Sequence, residues 1–94
     1  MNTVEQKARF PLGKVMTTPG ALKAIGMDEI IRALGRHICG DWGDAVASDQ
    51  EENELSLREG FRLLSVYHTA QGEKFWIITE ADRSATTVLL PEEY

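Results

Sequence analysis

The last third of the chain alternates apolar and polar residues, whereas the preceding part repeats apolar residues at helical spacing. Strands with this alternation are predicted over residues 61–69, 75–79 and 86–90. The middle strand carries apolar side chains on both faces, which is typical of a central strand in a sheet with helices packed on one face. The sequence therefore predicts a three-stranded antiparallel meander between residues 61 and 91.

One strand and two helices are predicted before this meander. The strand lies within residues 10–16, and Thr18 then caps a short helix that has Pro19 at its first position. Asp28 can cap a second helix, in which apolar residues recur every three to four positions. We expect the inner faces of the two helices to contain Ala21, Leu22, Ile25, Ile30, Ile31, Leu34 and Ile38.

A third, strongly polar helix is predicted after a turn at residues 40–44. This turn places two glycines and two aspartates around Trp42, which favours a structured turn over a continued helix. Ser48 and Glu51 have capping-box spacing, and Gly60 is suited to end the helix. Because this helix contains few apolar residues, we expect it at the periphery of the protein.

These elements combine into a single small α+β domain. An N-terminal strand and two or three helices come first, and the three-stranded antiparallel meander follows. Residues 1–9 are predicted to form a flexible N-terminus, and residues 10–94 the domain. A chain of 94 residues with 43% apolar content can bury one core and not two.

The composition disfavours several functional classes. The net charge is −5, and nucleic-acid-binding proteins gain much of their affinity from Lys and Arg. We therefore expect no direct nucleic-acid binding and instead a protein or nucleoprotein partner with a basic surface. The single cysteine, the lack of a signal-peptide pattern and the lack of any apolar run near the roughly 18 residues that span a bilayer predict a cytoplasmic protein without a membrane role.

The predicted hairpin corner at residues 80–84 is a candidate polar site. Glu80 and Asp82 could act as an acid/base pair or bind a cation, and Arg83 could bind a phosphate or carboxylate. Turns also favour these residue types for structural reasons. In that alternative, Asp82 bonds to the loop backbone and Arg83 pairs with Glu80.

Four potential metal ligands occur within eight residues, at His37, Cys39, Asp41 and Asp44. Their spacing does not fit a structural zinc site, which takes paired Cys or His residues. Cys39 and His37 are two positions apart, so they would not face each other on a helix as a nucleophile and its base. We expect no metal, no cofactor and no catalytic residue here; a buried free cysteine and a helix-terminal histidine explain the residues.

Trp42 is the candidate binding residue of the turn. A large aromatic side chain on a loop can anchor a partner, or it can cover the core as a lid. In the binding interpretation, the partner-binding residues are Asp41, Trp42, Asp44, Glu51 and Glu52.

Several motifs occur together between residue 10 and residue 94. They are FPLG at 10–13, TPGAL at 18–22, His37, GDWGD at 40–44, Asn53, GFRLLSVY at 60–67, WIITEADRS at 76–84, TT at 86–87 and LP at 90–91. In this combination they resemble a family of small bacterial proteins found on plasmids, phages and other mobile elements. Its members are labelled hypothetical protein, plasmid-related protein or type I restriction endonuclease subunit M. The chain lacks the glycine-rich turn of a methyltransferase, so the resemblance implies a mobile-element setting and no activity.

The predicted order of elements is also similar to that of the RelE/ParE toxin fold. In that fold a concave antiparallel sheet holds basic and acid/base residues against messenger RNA. The basic residues that this chain offers in and around the predicted sheet are Arg58, Arg62, His68, Lys74 and Arg83. This second likeness implies the fold and not the activity.

Two functional hypotheses follow. The first is a non-enzymatic protein-binding modulator encoded by a mobile element, such as an inhibitor of a host defence complex of the anti-CRISPR or anti-restriction type. The alternative is a RelE/ParE-like toxin or small enzyme whose site contains His37, Asp41, Asp44, Glu80, Asp82 and Arg83. The alternative requires the turn at 40–44 and the corner at 80–84 to share one pocket.

Overall fold

A four-stranded mixed sheet organises the computed structural model, which describes residues 7–94. In chain order the strands are β1 (Lys14–Thr17), β2 (Leu63–His68), β3 (Lys74–Thr79) and β4 (Ala85–Leu89). They lie in the order β1-β4-β3-β2. The β2–β3 and β3–β4 pairs are antiparallel, whereas β1 pairs with β4 in parallel.

The sheet therefore differs from the predicted antiparallel meander by one added strand of parallel direction. The predicted strand at residues 10–16 shifts to Lys14–Thr17. After β1 the chain crosses the sheet through its helices and enters β2 at the far edge, and a long crossover of this kind permits parallel pairing. Alternation predicts which face a side chain occupies, but it carries no information on strand direction.

Three helices connect β1 to β2: α1 (Pro19–Ala24), α2 (Met27–Ile38) and α3 (Ala47–Glu59). The Thr18 hydroxyl accepts the Ala21 N–H at 3.1 Å, which is the expected cap of α1. Gly60 ends α3 in a left-handed conformation, also as expected. Two predicted caps are wrong. Gly26 and Val46 occupy the cap positions, so Asp28 lies in the first turn of α2 and Ser48 lies inside α3.

The inner face of α2 contains Ile30, Ala33 and His37, which are all buried. Ile31, predicted to face the core, is 60% exposed, and Leu22 of α1 is exposed as well. The prediction was wrong because it counted only apolar residues. The third inward position of α2 belongs to a histidine, and this rotates the buried stripe away from Ile31.

The core has two parts. In the larger part, α1 and α2 pack on one face of the sheet; its buried residues are Ala21, Ile25, Ile30, Ala33, Tyr67, Phe75, Ile77, Val88 and Leu90. In the smaller part, Phe10, Trp42, Ala45 and Leu63 form a cluster with Leu57 of α3 packed against it. On the opposite face of the sheet, the ring of Trp76 lies against that of Tyr94, which follows a 3₁₀ turn (Pro91–Glu93).

The outer edge of β2 is closed by two contacts. The Asn53 side chain of α3 donates to the Leu64 carbonyl at 2.7 Å and accepts the Leu64 N–H at 3.1 Å, which replaces two bonds of a missing strand. Gly43 forms a bridge to Val66 directly beyond. The polar helix α3 is therefore held to the sheet through a buried amide as well as through apolar packing.

The predicted flexible N-terminus at residues 1–9 falls partly outside the described residues, which begin at residue 7. Within the described part, Arg9 forms a bidentate ion pair with Glu54 of α3, at 3.0 and 3.1 Å. Among residues 7–94, no helix has the length and apolar character needed to cross a membrane.

We predict that Ile77→Asp abolishes folding, because Ile77 is fully buried in the central strand β3. An unpaired buried carboxylate costs several kcal/mol, against a total stability of about 5 to 15 kcal/mol for a domain. Thermal unfolding followed by circular dichroism measures the effect. Glu52→Gln, on the exposed side of α3, serves as the control and should melt like the wild type. A cooperative, unshifted transition in Ile77→Asp would contradict the assigned strand.

Candidate functional site

The turn between α2 and α3 is held against β2 by its backbone. Gly40 and Gly43 adopt positive φ angles of 83° and 69°. A Cβ atom at Gly43 would collide with the Val66 carbonyl and the Tyr67 ring, so only glycine fits there. The Tyr67 hydroxyl donates to the Asp41 carbonyl at 2.6 Å. The close approach at Gly43 and the hydrogen bond from Tyr67 therefore fix the position of the turn against β2.

Trp42 points into the protein from this turn and is only 4% exposed. Its ring stacks on Phe10 and meets the His37 ring edge-on, with centroid distances of 6.3 and 5.8 Å. Its indole N–H donates to the Glu54 carboxylate at 2.9 Å. This placement corresponds to the lid interpretation. The exposed part of the turn consists of the Asp41 and Asp44 side chains.

Both carboxylates of the turn already contact a basic side chain within the protein. Asp41 pairs with Arg36 at 2.7 Å, and the Arg36 hydrogen bond lowers the pKa of Asp41. The Arg36 guanidinium also lies over the Tyr67 ring, 4.7 Å from its centroid. Asp44 contacts the His68 ring nitrogen at 2.7 Å. The turn is therefore polar, and both of its carboxylates have partners within the protein.

Helix α3 carries most of the excess negative charge of the protein. It contains five carboxylates and one arginine, a net charge of −4 in a chain whose total is −5. Glu54 is paired with Arg9. The other four carboxylates are exposed and form no ion pair within the described residues: Asp49, Glu51, Glu52 and Glu59. We call these four residues the acidic face of α3.

The corner between β3 and β4 is built around the backbone of Arg83, a non-glycine residue with a φ of +61°. This backbone conformation costs of order 1–3 kcal/mol, and it persists only where contacts with the surrounding structure offset that cost. Here the guanidinium donates to four carbonyl oxygens at 2.6 to 3.1 Å, on Ser56, Phe61, Glu80 and Ala81. Arg83 therefore ties the corner to the end of α3 through hydrogen bonds from Nη1 and Nη2.

The carboxylates of this corner do not converge with Arg83 in an ion pair. Glu80 pairs with Arg62 at 3.8 Å, so the predicted pairing of Arg83 with the Glu80 side chain is wrong; only the Glu80 carbonyl is contacted. Asp82 accepts the Ser84 N–H at 3.0 Å, and the bonds to Ser84 lower the pKa of Asp82. Asp82 thus bonds the loop backbone, as the structural interpretation expects.

The turn and the corner lie at opposite ends of the sheet. Asp44 contacts His68 at the end of β2, whereas the corner follows Thr79, which pairs with Leu63 at the start of β2. Five residues of strand separate the two ends, about 16 Å at 3.3 Å per residue. A cleft of about 70 Å³ beside Arg36, Tyr67 and His68 contains no residue of the corner. The six residues of the alternative hypothesis therefore do not share one pocket.

A buried polar chain runs through the middle of the protein instead. His37 contacts the Ser65 hydroxyl through Nδ1 at 2.6 Å and the Thr79 hydroxyl through Nε2 at 2.8 Å. Thr79 contacts Thr86 at 2.7 Å, and the Thr86 hydroxyl donates to the Leu12 carbonyl at 2.8 Å. All four side chains are fully buried.

The final acceptor sets the direction of each bond between Leu12 and the Nε2 atom of His37. A carbonyl can only accept, so Thr86 donates to Leu12 and its oxygen accepts from Thr79. Thr79 has then used its only proton and must accept from His37, whose own proton therefore lies on Nε2. Because burial lowers the pKa of His37 to about 4, Nδ1 carries no proton at neutral pH and accepts from Ser65. The imidazole is neutral, and each of its nitrogens has one partner.

Sequence reasoning missed this buried polar chain of His37, Ser65, Thr79 and Thr86. It considered His37 only as a metal ligand or a helix-terminal residue, although the signal was present. By alternation, Ser65 shares a face of the sheet with Tyr67, and Thr79 shares one with Ile77. The pattern therefore predicts that both hydroxyl side chains face the core. Within the described residues, no group of three or more His, Cys, Asp or Glu side chains could hold a metal ion.

No family model matches the chain, and no curated protein or solved structure matches it either. The family resemblance therefore stays a prediction. Several residues that carry it have structural roles: His37 and Thr86 belong to the buried chain, Trp42 lies in the core, and Asn53 closes the sheet edge. The shared motifs thus predict a common fold more directly than a common activity.

We predict that the buried histidine makes the protein acid-sensitive. Burial, and secondarily the nearby charge of Arg83, lower the pKa of His37 to about 4, from about 6.5 in the unfolded chain. Between these values the unfolded state binds a proton that the folded state does not. The free energy of unfolding should therefore be unaffected above pH 6.5 and fall by about 3 kcal/mol as the pH drops to 4.

Urea unfolding at a series of pH values measures this dependence. His37→Gln retains hydrogen-bonding capacity but does not titrate, so its free energy of unfolding should depend less steeply on pH in this window. Equal slopes in the wild type and His37→Gln would show that His37 does not titrate as described.

Proposed function

We propose that this protein is a non-enzymatic protein-binding module, and that its binding surface is the acidic face of α3. The observation that carries the proposal is the concentration, on one helix with a net charge of −4, of exposed carboxylates that form no ion pair with any of residues 7–94. The carboxylates of the turn, Asp41 and Asp44, already have partners within the molecule. Glu51 and Glu52 are its predicted contact residues.

The partner expected from this chemistry has a basic surface. Exposed carboxylates present negative charge, as the phosphates of a nucleic acid do, and charge complementarity guides such encounters. We therefore propose that the module occupies the nucleic-acid-binding surface of a larger protein complex. The mobile-element setting implied by the sequence motifs makes a host restriction or CRISPR complex the natural target.

The rigidity of α3 supports binding through this face. Asn53 fastens the helix to β2, and Arg83 holds the carbonyl of Ser56 near its end at 2.9 Å. A helix fixed in this way loses little conformational entropy when it binds. The acidic face is thus preorganised, although the helix itself contains few apolar residues.

The burial of the polar chain that contains His37 favours binding over catalysis. Ser65 and His37 are 2.6 Å apart, a distance typical of a nucleophile and its general base. Both side chains are fully buried, however, and the imidazole is used on both nitrogens. A substrate could reach them only after the core had opened, so we assign this pair a structural role.

We predict that the protein displaces labelled DNA from a purified type I restriction complex or CRISPR effector complex, and that displacement weakens as salt screens the charges. Glu51→Lys/Glu52→Lys should lose at least about tenfold in affinity. The matched control is Glu73→Lys/Glu92→Lys, which changes the net charge by the same amount outside α3. Competition binding by fluorescence anisotropy measures both effects.

Two results would contradict the proposal. One is cleavage of RNA by the protein, alone or on ribosomes, which would favour a toxin-like activity. The other is equal displacement by the wild type and Glu51→Lys/Glu52→Lys, which would exclude the acidic face. Trp42→Ala is a poor test of binding, because removing a buried tryptophan costs about 3–5 kcal/mol of stability.

A further inference from the structure

The two edges of the sheet differ in whether other elements cover their backbone groups. The β2 edge is closed by Asn53 and Gly43, whereas β1 forms the opposite edge. Lys14 and Thr18 direct their N–H groups inward, to Ser84 and Val88 of the β4 side, each at 3.0 Å.

Because hydrogen-bonding groups alternate along a strand, the N–H and C=O groups of Val15 and Thr17 point outward. Neither residue has another hydrogen-bond partner within residues 7–94. The edge therefore offers two donors and two acceptors.

The side chains of this edge are also accessible. Val15 is 43% exposed and Met16 is 40% exposed, and they lie on opposite faces of the sheet. Lys14 is exposed and has no ion pair within the described residues. A lysine on a short edge strand commonly prevents unwanted strand pairing. A partner strand would therefore need a carboxylate opposite Lys14.

The other end of β1 supplies such a carboxylate. Glu93 accepts the Thr18 hydroxyl at 2.5 Å and the Leu90 N–H at 2.8 Å, which fixes its side chain beside the end of β1. A carboxylate has about four lone-pair sites, so it can accept further bonds. The edge thus has a positive group at its start and a negative group at its end. When two copies of it run antiparallel, each positive group lies beside a negative group of the other copy.

We propose that β1 is a dimerisation edge, at which a second copy of this chain pairs antiparallel to the first. With the two-fold axis at Met16, Val15 of each copy exchanges hydrogen bonds with Thr17 of the other. Lys14 then lies opposite Thr18 of the second copy in a non-hydrogen-bonded pair, where side chains are closest. Its ammonium group reaches Glu93 of that copy. Such an isologous contact closes on itself and joins the two sheets into one.

This interface is independent of the proposed function, because β1 and β2 are at opposite edges of the sheet. α3 adjoins β2 through Asn53, so dimerisation leaves both acidic faces free. The contact is small, since β1 has four residues, and falls below the roughly 1,200 Å² of a standard stable interface. We expect a weak dimer, with a Kd of about 1 to 100 µM.

Sedimentation equilibrium of the full chain, from about 1 µM to about 500 µM, brackets that Kd range. The wild type should shift from monomer to dimer with increasing concentration. Lys14→Glu and Glu93→Lys should each raise the Kd at least about tenfold, because like charges then face each other. An equimolar mixture of the two variants should dimerise like the wild type, since both contacts become attractive again.

Val15→Pro provides a second test that leaves the β1–β4 bonds in place. The Val15 N–H points outward, so proline removes donors only from the proposed interface. It should abolish the dimer while retaining the wild-type circular dichroism melt. Lys23→Glu, on the exposed side of α1, is the charge control and should dimerise normally. A wild type that stays monomeric at all concentrations, or a dimer unaffected by Lys14→Glu and Val15→Pro, would overturn the proposal.

Discussion

The buried hydrogen-bond chain through His37 is the interaction on which the rest of this structure depends. It joins α2 to three strands, through Ser65 of β2, Thr79 of β3 and Thr86 of β4, and ends on the Leu12 carbonyl ahead of β1. A fully satisfied polar network stabilises a core, whereas one missing partner leaves a costly buried group. The relative positions of these elements are therefore specified more narrowly than apolar packing alone would require.

The surface features follow from that arrangement. Because His37 holds the last turn of α2 against the sheet, the turn at 40–44 begins beside β2, and Trp42 closes the core next to the imidazole. α3 then starts at the β2 edge, where Asn53 fastens it, and its carboxylates face outward. The same constraint that makes the interior polar thus presents a rigid acidic helix at the surface, to which we assign the binding function.

Much of the fold was predictable from the sequence because it depends on local patterns. Alternation identified the three C-terminal strands, and the Thr18 and Gly60 caps follow from side-chain chemistry at helix ends. The two wrong caps, Asp28 and Ser48, are local errors, whereas other misses depend on long-range contacts. Ile31 is exposed because the buried stripe of α2 runs through Ile30, Ala33 and His37. Arg83 binds carbonyls from α3 and beyond instead of a nearby carboxylate. No local pattern carries that information.

The protonation state of His37 tests the central claim most directly. In the folded protein, the ring nitrogen shifts from ¹⁵N NMR should report a neutral imidazole with its proton on Nε2. These shifts should stay constant from about pH 8 to about pH 5.5, because the pKa of His37 is lowered to about 4. A proton on Nδ1, or titration near the ordinary histidine pKa of about 6.5, would contradict the hydrogen bonds assigned to the buried polar chain.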